Sequence, residues 1–321
     1  MRSLKSESPI SPSSPVSRNV SKQATSGPSL SPWRIWLMAS RLPTLPAAVV
    51  PVVVGTAVAV SDGHFRFWAL VAALVAALLI QIGTNLANDY FDFKKGADTE
   101  KRLGPTRVTQ AGLLPPQAVF RGMLVMFALA VLAGLYLIYL GGWPILVVGL
   151  VSIAAGIAYT GGPWPLAYHG LGDVFVFVFF GVVAVTGTYY VHAETLNASS
   201  LIASVPVGLL ATAILVVNNL RDIDTDRAAG KRTLAVRLGP RLTRIQYAAC
   251  LIGAYIVPIV LWRLEHLGAG FWLVGLTLPL SIPLLYEVMD GASGRALNPV
   301  LGRTGRLHLL YGLLFSVSFL W

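Results

Sequence analysis

Long apolar runs alternate with short polar segments along almost the whole chain. Nine runs approach the roughly 20 residues that a helix needs to cross a bilayer. They cover approximately residues 44–61, 67–88, 118–140, 143–159, 170–191, 200–219, 243–262, 271–289 and 306–321. The sequence lacks the alternation of polar and apolar residues typical of membrane β-strands. Because backbone groups in lipid must be hydrogen-bonded internally, the pattern predicts an all-α polytopic membrane protein with about nine transmembrane helices.

The composition agrees with this prediction and changes the interpretation of the positive charge. Only 12% of the 321 residues are charged, which is about half the share in a soluble protein. The formal net charge of +10 could indicate a nucleic-acid partner. With the N-terminus inside, however, every Lys and Arg except Arg66 and Arg263 falls on the inner side. We therefore expect a multi-pass protein surrounded by membrane lipid, with a cytoplasmic N-terminus and no nucleic-acid partner.

Residues 1–30 differ from the rest of the chain, because they are rich in Ser and Pro and contain no apolar run. This composition predicts a disordered tail, and an organelle transit peptide is the alternative. Residues 31–321 are expected to form a single transmembrane domain. The only cysteine, Cys250, lies in a predicted span, so no intrachain disulfide is expected.

Two inner polar loops, at about 92–117 and 220–242, have similar sequences where they join the preceding span. One contains "NDYFDFKKGAD" (88–98) and the other "NNLRDIDTDRAAGKRT" (218–233). Each starts with asparagine, continues with aspartates at helical spacing, and reaches a glycine beside basic residues. The similarity is consistent with a repeated unit of a few helices.

The aspartates of the first segment are spaced to act together. Separations of three and four residues place Asn88, Asp89 and Asp92 on one face of a helix that extends from the second span. Gly96 permits a turn that brings Asp98 back towards the same point.

The second segment repeats this arrangement. Asp222 and Asp226 are four residues apart, whereas Asp224 points away from their face. Carboxylates stacked on one face repel each other unless a cation lies between them. Asp and Asn oxygens suit Mg²⁺, which also takes waters and phosphate oxygens, whereas clusters of His and Cys suited to zinc or copper are missing from the sequence.

Two acid-rich helix ends that each hold Mg²⁺ would form a clamp for a diphosphate, and nearby basic residues would add positive charge. The alternative is that these charges are solvated helix ends, as in many inner loops. The matched spacing in both loops favours the diphosphate site.

These segments resemble the two signatures of the UbiA superfamily of intramembrane prenyltransferases. Three further stretches extend the resemblance, from about residue 33 to the C-terminus, to the branch that prenylates 1,4-dihydroxy-2-naphthoate. They are "RLPTLPAAVVPVVVGTAVA" (41–59), "YTGGPWPLAYHGLGDVFVFVFFG" (159–181) and "LNPVLGRTGRLHLLYGLL" (297–314). The resemblance implies nine helices around a central cavity that opens to lipid. It also implies a cytoplasmic active site, and we expect a bacterial plasma membrane.

The resemblance further implies that two Mg²⁺ ions bridge the diphosphate of a polyprenyl diphosphate. The metal ligands expected from motif position are Asn88, Asp89, Asp92, Asp98, Asp222 and Asp226. The residues expected to contact substrate are Asn85, Lys94, Lys95, Arg107, Asn219, Arg221 and Lys231.

Two catalytic residues are expected outside the acidic segments. Tyr159 matches a tyrosine that family members use in the loop after the fourth helix. Asp173, early in the fifth span, could accept a proton or orient the hydroxyl of the aromatic acceptor. A helix-start aspartate favoured by the helix dipole explains Asp173 equally well.

The sequence departs from the broader family in two places. Gly96 stands where many members have the last aspartate of the first motif, and the aspartate follows as Asp98, which is typical of the naphthoate and related quinone branches. The loop after the fourth span has no Lys or Arg, and His169 is its only basic side chain. A basic contribution is therefore expected from Arg107 or Arg221 instead.

The implied reaction is ionisation of the allylic C–O bond, attack by the carboxyl-bearing carbon of the naphthoate, and loss of carbon dioxide. Another branch of the family would use the same metal site with 4-hydroxybenzoate, homogentisate or a chlorophyllide as acceptor. A transporter of an anionic solute is a further alternative. Transporters usually place such charges near the membrane midplane, whereas these lie at one face.

Overall fold

The structure is a computed structural model that describes residues 30–97, 102–264, 266 and 268–321. Asp98 and nearly all of the predicted tail lie outside the described residues, so the metal-ligand role of Asp98 and the disorder of the tail remain predictions. Within the described residues the chain is helical and contains no β-strand, which confirms the all-α class.

Eleven α-helices follow one another along the described chain. They are α1 (Pro32–Ser40), α2 (Pro46–Ser61), α3 (Phe67–Lys94), α4 (Pro116–Ala158), α5 (Gly172–Val176), α6 (Ala184–Ala193), α7 (Ala198–Arg221), α8 (Ile223–Ala228), α9 (Leu234–Arg263), α10 (Leu278–Met289) and α11 (Leu297–Ser318). Short 3₁₀ turns and one π-helical segment complete the elements, at Leu42–Thr44, Leu166–His169, Phe177–Val183 (the π-helix), Ala269–Thr277 and Gly294–Ala296.

Six helical stretches among the described residues are long and apolar enough to cross a membrane, which makes the chain a multi-pass membrane protein. A seventh span results if the bent pair Pro32–Thr44 and Pro46–Ser61, which turns by 52°, is counted as one. Helix α4 is 43 residues long and breaks at Gly142, whose φ of 67° is not helical. The break separates the two predicted runs 118–140 and 143–159. The predicted count of nine spans is not confirmed.

Helix α7 is the most enclosed of these spans. Two thirds (67%) of its most apolar window is buried, against at most 33% in the other spans of the described chain. It packs against α2, α9 and α11 and against the π-helical segment. A Cβ atom on Gly181 would lie 2.7 Å from the Cα of Gly208, so the two backbones touch there. This packing fixes the end of α7 that leads into the second acidic segment.

Helices α3 and α4 pack along each other on the other side of the molecule. Large apolar side chains on the outer face of α4 remain exposed, including Leu132, Tyr139 and Trp143 at 61%, 83% and 75%. An apolar face of this length belongs in lipid rather than in water.

Candidate active site

Asp92, in the last turn of α3, is the centre of the polar cluster. The residue is 2% exposed. Its Oδ2 accepts a hydrogen bond from Nη2 of Arg107 at 3.1 Å, and its Oδ1 accepts one from the Tyr168 hydroxyl at 2.9 Å. Nζ of Lys231, which follows α8, lies 3.1 Å from the same Oδ1. One buried carboxylate therefore joins three polar segments, and it connects the two acidic segments that the sequence predicts to work together.

Two ammonium groups lie close to the ring of Tyr168. Nζ of Lys95 is 4.9 Å from the ring centroid, and Nζ of Lys231 is 4.8 Å from it. Lys95 also donates a hydrogen bond to the carbonyl oxygen of Thr160 at 2.7 Å. Burial lowers the pKa of Lys95, the charge of Asp92 opposes this, and the charge of Lys231 adds to it. Two cations around one ring create a region that attracts an anion.

Tyr159 lies next to the same cluster. A Cβ atom built on Gly172 would be 3.0 Å from the Tyr159 hydroxyl oxygen, so the hydroxyl lies against the start of α5. Burial raises the pKa of this hydroxyl well above its usual value, and the charges of Asp173, Asp92 and Asp226 raise it further. The hydroxyl therefore stays protonated and is able to donate a hydrogen bond to an anionic ligand.

Asn88 lies one turn before Asp92 on α3. Its Oδ1 accepts a hydrogen bond from the hydroxyl of Thr160 at 2.8 Å. Thr160 thus contacts Asn88 through its hydroxyl and Lys95 through its carbonyl oxygen, and it holds the loop after α4 against the end of α3.

In the second acidic segment, Arg221 is fully engaged by protein groups. It is 2% exposed. Its Nε and Nη2 donate to the two carboxylate oxygens of Asp222 at 2.8 and 2.5 Å. Nη1 donates to Asn298 on α11 at 3.0 Å, and Nη2 also donates to Asn218 at 2.8 Å. The sequence predicts Arg221 as a substrate contact, but in the structure it ties α7 to α11.

Asp226 differs from Asp222, because its carboxylate makes no side-chain hydrogen bond or ion pair within the described residues. Burial raises its pKa to about 7. Lys231 opposes this increase, whereas Asp222 and Asp92 add to it. The raised pKa shows that negative charge at Asp226 is unfavourable in this environment. Its carboxylate oxygens are available to a cation, and a bound cation would offset the excess of negative charge.

The donor chemistry of the cluster fits Mg²⁺. Within the described part of the chain, no three His, Cys, Asp or Glu side chains are close enough to hold a metal ion by themselves. Mg²⁺ usually takes only one or two carboxylates, with waters and substrate phosphates as its other ligands. The oxygens of Asn88, Asp92 and Asp226 match this preference, and they do not match the nitrogen and sulfur ligands that copper or zinc favours.

Asp89 has a different environment from the other predicted metal ligands. It is 2% exposed. Its Oδ2 accepts from the backbone N–H of Val108 at 3.1 Å, and its Oδ1 accepts from that of Thr109 at 3.3 Å. Backbone groups therefore engage both oxygens, and Asp89 anchors the loop that carries Arg107.

Asn85 is also turned towards protein groups. Its Nδ2 donates to the carbonyl oxygen of Ser40 and to the hydroxyl of Thr44, at 3.0 Å in both cases. This side chain ties α3 to the bend between α1 and α2, away from the polar contacts around Asp92.

The remaining predicted residues have varied surroundings. Lys94 is exposed and lies 5.3 Å from the ring of Tyr90. Asn219 is 7% exposed and makes no side-chain hydrogen bond within the described residues. Asp173 is buried, and its Oδ1 accepts a hydrogen bond from Gln246 at 3.0 Å. Asp224 is exposed, as its position off the shared face predicts.

Sequence reasoning did not assign roles to two of the residues that build the cluster. Thr160 lies within the stretch "YTGGPWPLAYHG", and Asn298 lies within "LNPVLGRTGR". Neither has a spacing that distinguishes it from an ordinary loop residue. Tyr168 is one of several aromatic residues in its loop, and only the structure shows that its hydroxyl contacts Asp92.

An apolar cavity of about 170 Å³ lies between α2, α3, α4 and α6. Small residues leave it open, since a Cβ atom on Gly134 or Gly149 would meet nothing within 4 Å. Ile153, which also lines the cavity, lies on the same helix as Tyr159 and six residues before it. The rim includes Val131 and Leu150, whose side chains are exposed on the outer surface. An apolar chain could therefore extend from the polar cluster towards lipid.

Comparison with known proteins gives consistent results. The model of the UbiA prenyltransferase family matches residues 48–310. The chain is 41% identical to the 1,4-dihydroxy-2-naphthoate octaprenyltransferase of Escherichia coli (strain K12), over 88% of this chain and 94% of that protein. It is also 41% identical to the protein of the same name from Mycobacterium tuberculosis, over 87% of this chain and 94% of that one.

A solved structure of a UbiA homolog from Archaeoglobus fulgidus, bound to DMAPP and Mg²⁺, has the same fold. It superposes with a TM-score of 0.60 over 88% of this chain and 99% of that one, at 13% sequence identity.

The contacts of Asp89 lead to a prediction about the loop that carries Arg107. The Asp89→Asn substitution keeps the shape but replaces one of the two acceptor oxygens with an NH2 group, which donates and cannot accept. We expect the protein to lose about 1–3 kcal/mol of stability. Hydrogen exchange measured by mass spectrometry should become faster at Val108 and Thr109.

Asp224→Asn is the matched control, because Asp224 has a 92% exposed side chain and pairs only with Arg227 within the described residues. Unchanged exchange at Val108 and Thr109 in the Asp89→Asn protein would contradict the anchoring role.

Proposed function

Because the chain belongs to the UbiA prenyltransferase family, we propose that it transfers a polyprenyl group to 1,4-dihydroxy-2-naphthoate. The donor is an allylic polyprenyl diphosphate, and carbon dioxide and diphosphate are released. The immediate product is a prenylated naphthohydroquinone, the reduced form of demethylmenaquinone or of the corresponding phylloquinone precursor. The 3.1 Å contact between Asp92 and Lys231 carries this proposal, because it gathers the acids and bases of both polar segments at one site. The names of the two bacterial relatives support the choice of acceptor.

The diphosphate binds where Lys95 and Lys231 flank Tyr168, within reach of the Tyr159 hydroxyl. Asn88, Asp92 and Asp226 would hold Mg²⁺, and Asp98 would be a further ligand. Asp222 would add negative charge beside Asp226. Two acidic segments would suit two ions. The Archaeoglobus fulgidus homolog bound to DMAPP and Mg²⁺ supports a divalent metal. Bound Mg²⁺ supplies positive charge that stabilises the departing diphosphate.

The chemistry follows from the stability of an allylic cation. The C–O bond to the diphosphate breaks, and its electron pair leaves with the diphosphate. Lys95, Lys231 and the Tyr159 hydroxyl stabilise the charge that develops there. The carboxyl-bearing ring carbon then forms the new C–C bond. Its bond to the carboxylate breaks, carbon dioxide leaves, and the electron pair returns to the ring.

Water must be excluded while the allylic cation exists, because water would capture it. The apolar cavity beside α4 would exclude water and hold part of the prenyl tail, and the rest would extend past its exposed rim into lipid. The distribution of Lys and Arg supports a cytoplasmic position for the polar cluster, and the bacterial relatives support a plasma membrane.

The proposed reaction predicts a specific product. Purified protein given a labelled polyprenyl diphosphate and 1,4-dihydroxy-2-naphthoate should form the prenylated, decarboxylated product only when Mg²⁺ is present. 4-Hydroxybenzoate should give no product. Absence of product with every aromatic acceptor would refute the enzyme function, and product from 4-hydroxybenzoate alone would refute the acceptor.

Asp92→Asn and Asp226→Asn should each lower turnover by about 100-fold or more, because each removes charge that holds the cation and leaving group. The carboxylate of Asp226 makes no hydrogen bond among the described residues, so Asp226→Asn should fold normally. Asp92→Asn and Asp222→Asn should lose stability as well as turnover, since Asp92 pairs with the buried Arg107 and Asp222 pairs with the buried Arg221. Turnover and thermal unfolding in detergent measure both effects, with Asp224→Asn as control. Normal turnover in Asp226→Asn would show that this acid is only a solvated helix end.

The cavity leads to a prediction about which lengths of prenyl tail the protein accepts. Gly149→Phe places a ring in open space inside the cavity, so the protein should fold. We expect kcat/KM for octaprenyl diphosphate to fall by about tenfold or more, since the blocked tail loses apolar burial, while geranyl diphosphate is used normally. Gly275→Phe is the matched control, because a Cβ atom there also meets nothing within 4 Å and Gly275 does not line the cavity. Equal losses with both diphosphates would contradict the assignment.

A further inference from the structure

Asp173 and Gln246 form a buried pair that the proposed steps leave without a role. Asp173 lies in the first turn of α5 and is 5% exposed, and Gln246 lies on α9. Nε2 of Gln246 donates to Oδ1 of Asp173 at 3.0 Å. Oδ2 of Asp173 and Oε1 of Gln246 are also buried, and neither has a hydrogen-bond partner within the described residues.

Buried acceptors without donors are costly, and folded proteins contain few of them. This pair presents two oxygens that accept hydrogen bonds, one of them on a carboxylate. A ligand that satisfies both must supply hydrogen-bond donors. Hydroxyl groups fit this requirement, whereas a diphosphate does not.

The pair lies beside the reaction site. Gly172, the residue before Asp173, packs against the Tyr159 hydroxyl. Among the charges that raise the pKa of Tyr159, that of Asp173 has the largest effect. Asp173 therefore borders the space near Tyr159, while Lys95 and Lys231 lie on the Tyr168 side of the cluster.

We propose that Asp173 and Gln246 bind the aromatic acceptor by accepting hydrogen bonds from its ring hydroxyls. Asp173 Oδ2 accepts from the hydroxyl next to the attacked carbon, and Gln246 Oε1 accepts from a second hydroxyl. Gln246 also positions Asp173 through its Nε2 donor. This inference rests on the proposed function and assigns its acceptor subsite.

The proton and electron balance of the decarboxylation determines the role of Asp173. The departing carbon dioxide leaves its bonding electron pair in the ring, so aromaticity returns without removal of a proton. Asp173 therefore acts as a hydrogen-bond acceptor and not as a base that is consumed in each turnover. When the attacked carbon becomes tetrahedral, its carboxylate leaves the ring plane and no longer accepts from the neighbouring hydroxyl. Asp173 accepts from that hydroxyl instead, which stabilises the positive charge that the attack leaves on the hydroxyl-bearing carbon until carbon dioxide departs.

Asp173→Asn tests this subsite with two acceptors, 1,4-dihydroxy-2-naphthoate and its methyl ether at the hydroxyl next to the carboxylate, because Asp173 Oδ2 accepts from that hydroxyl in the proposal. The variant should lower kcat/KM for the diol by about tenfold or more, because a hydrogen bond to a charged group is lost. The loss should be less than about twofold for the ether, which cannot make that hydrogen bond. KM for the polyprenyl diphosphate should not change. Cys250→Ala is the matched control, because Cys250 lies one turn beyond Gln246 on α9.

Gln246→Leu serves as a second variant if Asp173→Asn does not fold. Its loss should depend on the second hydroxyl, from which Gln246 Oε1 accepts, and a methyl ether at that position tests this. Thermal stabilisation by inorganic diphosphate with Mg²⁺ checks that each variant keeps its diphosphate site. Equal losses with diol and ether, or an increased KM for the polyprenyl diphosphate, would overturn the subsite. An inactive wild-type protein would refute the proposed function instead, so the two failures are distinguishable.

Discussion

The buried carboxylate of Asp92 is the constraint on which the polar half of the structure depends. A charge with 2% exposure at the end of a membrane-length helix is unfavourable unless charged and hydrogen-bonding partners surround it. Arg107, Tyr168 and Lys231 fulfil this role, and each comes from a different segment. The need to satisfy one carboxylate therefore brings three loops to the same point. The buried carboxylate therefore accounts for the convergence of these segments.

Further buried polar contacts hold these loops in place from behind. Asp89 accepts two backbone N–H groups of the loop that carries Arg107. The same loop is held at Leu103, whose carbonyl oxygen accepts a hydrogen bond from Asn298 on α11. Asn298 in turn accepts from Arg221, so the loop is linked to the end of α7. These contacts thus fix the positions of the residues around Asp92, as precise binding sites require.

The sequence predicts the helices and the convergence of the acids well, but it does not separate the roles of neighbouring residues. Apolar runs define helices because lipid leaves the backbone no alternative. Helical spacing places Asp89 and Asp92 on one side of α3, yet one anchors a backbone loop and the other lies in the cluster. Arg221 looks like a free cation in the sequence, and only tertiary packing shows its contacts with Asp222 and Asn298. The number of spans also depends on tertiary geometry, as the break at Gly142 shows.

Acidic and basic side chains alternate in the polar cluster around Asp92, which explains how the cluster suits both a cation and an anion. Lys231 lies against Asp92 and against the ring of Tyr168, and Lys95 lies on the same ring. Asp226, whose carboxylate makes no hydrogen bond among the described residues, lies close enough to Lys231 and Asp92 for their charges to affect its pKa. A cation bound by Asp226 and Asp92 would compete with Lys231 for the Asp92 oxygen, and the released ammonium group would then be available to a diphosphate. Metal and diphosphate would therefore each make the binding of the other more favourable, since neither leaves an unpaired charge at the membrane edge.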